Sequence, residues 1–139
     1  MPSNTAIAML SYEDAGRAAD WLSEAFGFEQ SEQFEDSGVV THVTLTLGDA
    51  MVFAGNPGPD YRSPRSLAAE SEAVRRMLET PYVVDGVMVY VEDVDAHFER
   101  ARAAGAGFLS ELEDNPAIGQ RQYRAEDLEG HRWMFAQAV

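Results

Sequence analysis

A chain of 139 residues, 45 % of them hydrophobic, supports one compact domain without low-complexity tracts. It has no cysteine, and its ten basic residues are all arginine, which excludes disulfides, thiol nucleophiles and lysine Schiff bases. A formal net charge of −14 excludes nucleic acid as a partner, since phosphate binding needs clustered positive charge, but it accommodates a cationic ligand.

The first ten residues lack a basic start followed by a long apolar run, and no stretch reaches membrane-span length. A cytoplasmic protein without a membrane partner is expected. Thr5–Tyr12 reads as a strand. Asp14 caps a helix over Ala15–Phe26, whose Ala15, Ala18, Ala19, Leu22, Ala25 and Phe26 form one apolar stripe, and Gly27 ends it. Strands are predicted near Gln30–Phe34, Val39–Leu47 and Ala50–Ala54, with turns at 36–38 and Gly48-Asp49. Residues 56–80 are first turn-rich and then helical until Pro81, and they read as a connector. A strand over Val83–Val91 follows, then a helix capped by Asp93 and ended by Gly105. Three more strands are predicted near 107–112, 121–126 and 132–136.

The second half therefore repeats the first. The Glu13-Asp14 pair recurs at Glu92-Asp93, about 80 residues on, and G-D-A-M-V-F-A (48–54) is echoed by G-H-R-W-M-F-A (130–136). One β-α-β-β-β module leaves a sheet face bare and is not stable alone. The expected fold is one α+β domain spanning 1–139, with module one at 4–55, the connector at 56–80 and module two at 81–137. The modules form a curved eight-stranded mixed sheet with helices outside and a central cleft.

This doubled unit resembles the vicinal oxygen chelate superfamily, which includes glyoxalase I, extradiol dioxygenases, fosfomycin-resistance enzymes and bleomycin-binding proteins. The resemblance is carried by YVEDVDAHFERARAAGA (90–106) and by a G-x-R-x-x-R-x-x-D-P-x-G-H-x-W pattern. That pattern is met at Gly119, Arg121, Arg124, Asp127, Gly130, His131 and Trp133, with Leu128 in place of the proline. It implies a homodimer, with modules paired either within one chain or across two. In the catalytic relatives it also implies a divalent metal held by the first and last strands of each module. Those positions hold Ile7, Gly86, Val52 and Met134 here, or Ala8, Val87, Phe53 and Phe135 if shifted by one. None offers an imidazole nitrogen or a hard oxygen, so no metal and no cofactor is expected.

Alternation along the strands supplies the cleft lining. His42, Thr44 and Thr46 face away from Val43, Leu45 and Leu47, and Gln122, Arg124 and Glu126 form the matching wall of module two. Aligning the halves sets His42 opposite Arg124 and Thr44 opposite Glu126. Met9, Met88, Tyr90 and Met134, with Ile7 and Val52, make the apolar floor. His97 reads as a surface residue and His131 as a hydrogen-bonding residue at the sheet rim. An apolar hollow with a few placed polar groups suits a small organic ligand. The first reading is metal-independent binding, of the sequestration or resistance type, through Met9, His42, Thr44, Met88, Tyr90, Gln122, Arg124, Glu126 and Met134. The alternatives are a glyoxalase-like lyase, isomerase or dioxygenase using His42 as candidate base with Arg124, or using a non-standard metal site, and an interaction protein with a filled cleft.

Overall fold

The structure, a computed structural model, describes residues 4–80 and 85–139. Strand β1 (Ala8–Ser11) leads to helix α1 (Ala15–Phe26), then to β2 (Glu29–Asp36), β3 (Val39–Leu47) and β4 (Ala50–Gly55). Asp14 accepts a hydrogen bond from the Arg17 amide at the start of α1. Gly27 closes the helix at φ 82°, a left-handed conformation that a side chain would strain. The helix lies as it does because its alanines let the backbone sit close on β3. Leu22 and Phe26 then reach into the space below.

Module two repeats the order. Strand β5 (Gly86–Tyr90) precedes α4 (Val94–Ala103), β6 (Gly107–Phe108), β7 (Glu113–Asn115), β8 (Gln120–Glu126) and β9 (Arg132–Ala138). The predicted start of the fifth strand at Val83 lies outside the described residues. Of the strand predicted near 107–112 only Gly107–Phe108 forms, and a second piece, Glu113–Asn115, follows it; both pair with β8. Ser110 causes the break: its hydroxyl accepts from the Arg124 amide at 2.9 Å, where a ladder carbonyl would otherwise stand. The connector helix is also divided, into α2 (Pro64–Glu70) and α3 (Glu72–Met77). Ser71 between them is extended and caps α3 with its own hydroxyl.

Two βαβββ modules and α+β architecture agree with the sequence. The strands form a four-stranded sheet, β1-β4-β3-β2, and a five-stranded sheet, β5-β9-β8-β6 with β7 beside β8, instead of eight strands in one sheet. In each, the first strand runs parallel to the last. No described strand of one sheet pairs with a strand of the other.

What joins the modules is a common core. Phe26 of α1 packs against Trp133 and Phe135 of β9, with ring centroids 5.5 and 4.6 Å apart. Val43, Leu45, Val52 and Ala54 from one sheet and Tyr123, Ala125, Trp133 and Phe135 from the other belong to one buried cluster. Each sheet thus spends its helix-covered face on this core. On the opposite faces Met9, Met88 and Tyr90 stand exposed, above Thr44, Gln122 and Ala136, which their neighbours bury. No helix is long and apolar enough to cross a membrane.

Candidate functional site

The open face of the first sheet is built from alternate residues of β1, β4 and β3. Met9 pairs in register with Phe53, and Phe53 with Thr44, so the three form a row. His42, pairing with Gly55, lies beside them. Its Nε2 is 2.8 Å from the Thr44 hydroxyl, and its ring meets Phe53 edge-on at 4.7 Å and Phe34 at 5.5 Å. Met9 is 79 % exposed, an unusual position for a thioether unless something covers it.

The second sheet carries three such rows. Met88, Met134 and Arg124 form one, Tyr90, Ala136 and Gln122 the next, and Gly86, Arg132 and Glu126 the third. The polar groups are ordered. The Tyr90 hydroxyl donates to Gln120 at 3.0 Å, and the Gln120 amide donates to Gln122 at 2.7 Å. An Nη2 of Arg124 contacts the Met134 sulfur at 3.8 Å. Glu126 stands 3.7 Å from Arg132.

The residues singled out from the sequence therefore occupy two patches, Met9, His42 and Thr44 on one sheet and Met88, Tyr90, Gln122, Arg124, Glu126 and Met134 on the other. No strand pairing joins the two patches. Two details of the alignment change. Thr44, not His42, is the counterpart of Arg124, because each pairs with the residue facing the parallel-strand methionine. Val52 faces the core at 1 % exposure, and Phe53 takes the cleft-side position matching Met134. Matching Gly48 to Gly130 misled the comparison, since a two-residue turn follows β3 while five residues join β8 to β9.

Side chains at the family's metal positions are thus hydrocarbon or thioether, and no cluster of three or more His, Cys, Asp or Glu able to share a cation occurs among the described residues. A divalent cation does not fit this donor set.

The glycine-histidine motif performs a different task. Asp127, fully buried, accepts from the Tyr12 hydroxyl at 2.6 Å, the Trp133 indole at 3.1 Å, and the amides of Glu129 at 3.1 Å and His131 at 3.0 Å. Burial and the adjacent carboxylate raise the Tyr12 phenol well above its ordinary range, so it stays a donor. His131 donates from Nε2 to the Ser11 carbonyl at 2.6 Å, as expected of a rim residue. These bonds tie β1 to the β8–β9 loop.

His97 departs from expectation. It bridges the modules, with Nδ1 2.5 Å from the Tyr123 hydroxyl and Nε2 donating to the Phe26 carbonyl at 2.7 Å. The alternation that set Phe98 inward hid this, since the helix has module one, not solvent, on its other flank. Desolvation lowers the His97 pKa. A lowered histidine pKa leaves stability whole above the unfolded value and removes it as pH falls below that value. Unfolding free energy is expected to drop from about pH 7 to 5. Urea titrations of His97→Asn should show a flatter profile across that interval; an unchanged slope would contradict the assignment.

The connector is fastened at the same seam. Glu13 accepts from the Ser63 amide at 3.0 Å and the Ser66 hydroxyl at 2.5 Å. The Ser63 side chain, then the Ser66 hydroxyl and the Ser63 amide, hold its carboxyl down at about 2. Glu129 accepts from the amides of Glu13 and Asp14, and burial raises its pKa. Carbon-detected NMR titration should place the Glu13 midpoint near 2, returning toward the ordinary glutamate range in Ser66→Ala. A midpoint unaffected by that change would remove the hydroxyl as its cause.

Comparison with known proteins matches this arrangement. The protein Rv0887c of Mycobacterium tuberculosis is 30 % identical over 131 residues, covering 94 % of this chain and 72 % of that one. TioX from Micromonospora sp. ML1 is 34 % identical with a TM-score of 0.72, covering 98 % and 97 % of the two chains. TnmS3, an antibiotic-binding protein from Streptomyces sp. CB03234, shares the fold at 15 % identity and a TM-score of 0.64, with both chains fully covered. With the family model matched over residues 6–135, the chain belongs to the Glyoxalase/Bleomycin resistance protein/Dioxygenase superfamily.

Proposed function

We propose that the protein binds a small, partly apolar organic molecule without a metal, in the manner of a sequestration or resistance protein. The ligand lies between the open face of one sheet and the open face of the other sheet in a second copy. The observation that carries this reading is the pair of bare faces. Met9, Met88 and Tyr90 are 79, 45 and 64 % exposed in one chain, beside polar side chains already ordered by mutual hydrogen bonds. Apolar groups held open next to placed donors and acceptors are the usual lining of a ligand site. The antibiotic-binding relative TnmS3 has the same fold, which is compatible with the ligand class. The acidic chain favours a ligand carrying a positive group.

An enzymatic reading is less supported. His42 and Arg124 stand on different sheets, and no hydrogen bond or ring contact links the two. Thermal-shift screening against aromatic and cationic antibiotics, with divalent metals as a parallel arm, tests the proposal. At least one organic compound should raise the melting temperature with dose, and metals should not. Stoichiometric bound transition metal by elemental analysis would overturn it.

A further inference from the structure

The two sheets approach one another where β1 lies near β5, and a groove of about 360 Å³ runs along this seam. Met9, Leu10, Val87 and Pro64 give it apolar walls, and Tyr61, His131 and Arg132 give it polar ones. The sequence singles out Met9, Gly86, Val87, Gly130 and His131 in it, but gives no role to Tyr61 or Arg132. It is formed within one chain and shares Met9 with the cleft described above.

Arg132 is the unusual member. It is only 5 % exposed, and its two Nη atoms donate to the carbonyls of Thr80 and Leu78. Its Nε–H is buried and has no hydrogen-bond partner among the described residues. A buried donor left unmade carries a free-energy penalty that an arriving acceptor relieves. Arginine normally satisfies such a site through its planar fork, and here one prong has no partner among the described residues.

The charge of the acceptor follows from its neighbours. Asp85 lines the groove and Glu126 lies 3.7 Å from the Arg132 guanidinium, so the cation is already balanced. Tyr61 reports the same environment. Burial and the carboxylates of Glu129, Glu13 and Asp127 push its phenol up to about 12, which keeps it a donor and disfavours a second negative charge nearby.

We propose that this groove is a carbonyl-binding subsite, in which the Arg132 Nε–H and the Tyr61 hydroxyl donate to uncharged amide, ester or ketone oxygens of an apolar small molecule. Carboxylates and phosphates are discriminated against by the surrounding acids. A positively charged extension of the ligand is tolerated beside Asp85.

A matched trio of probes tests this: 2-naphthamide, 2-naphthoate and 2-naphthylmethylammonium, titrated into the full chain. The readout is the arginine Nε–H NMR spectrum, with the Arg132 resonance assigned by its loss in Arg132→Lys. The amide should move that resonance and bind more tightly than the carboxylate. Tyr61→Phe, which keeps the ring and leaves the connector intact, should weaken the amide about fivefold. An amide that fails to bind, or that saturates without moving the Arg132 Nε–H resonance, would overturn the assignment. So would tighter binding of the carboxylate, or an affinity unchanged by Tyr61→Phe.

Discussion

Replacing Asp127 by alanine is expected to destabilise the protein by about 4 kcal/mol, because a buried carboxylate with four donors is removed while the donors stay buried. The Tyr12 hydroxyl and the Trp133 indole N–H would both lose their acceptor in a dry core. For a chain of this size that corresponds to a melting temperature lower by about 10–15 °C. Asp127→Asn retains an acceptor oxygen but puts two N–H groups among donors, so it should fall between wild type and alanine. Urea unfolding of the two variants checks this. A loss below about 1 kcal/mol for alanine would mean that the hub is not what joins the modules.

That hub shows why a family motif was easy to find and its purpose was not. Asp127, Gly130, His131 and Trp133 are recognisable by spacing alone, yet the spacing is silent about Tyr12, which lies 115 residues away in sequence. Periodicity identified the open faces because a strand has only two sides. Once Val43 and Leu45 are assigned to the core, His42 and Thr44 have one place left. It failed where the question was long-range. His97 looked solvent-facing because nothing in its own helix says that α1 packs alongside it. The division of one expected sheet into two was equally invisible, since every strand pairs inside its own module. Ser71 and Ser110 broke predicted elements through side-chain hydrogen bonds, which hydrophobic patterns do not record.

The second large effect concerns association. On the proposed pairing of open faces between two copies, Met88→Asp is expected to weaken association at least a hundredfold, by removing apolar burial and placing a carboxylate in the interface. Its effect on the isolated chain should stay within about 0.5 kcal/mol, because Met88 is 45 % exposed there. Sedimentation equilibrium reads the first quantity, and urea unfolding at low concentration the second. Each copy carries a net charge of −14, so added salt should strengthen the proposed wild-type association by screening the repulsion. A dimer weakened by salt, or indifferent to Met88→Asp, would place the contact elsewhere than on these faces.

Methionine oxidation followed by mass spectrometry, as a function of protein concentration, tests most directly whether a second copy covers the open sheets. Met77 on α3, 43 % exposed and outside both sheets, serves as the internal reference. The expected result is that Met9 and Met88 oxidise several-fold more slowly at high concentration while Met77 is unchanged. Equal rates for all three at every concentration would contradict it.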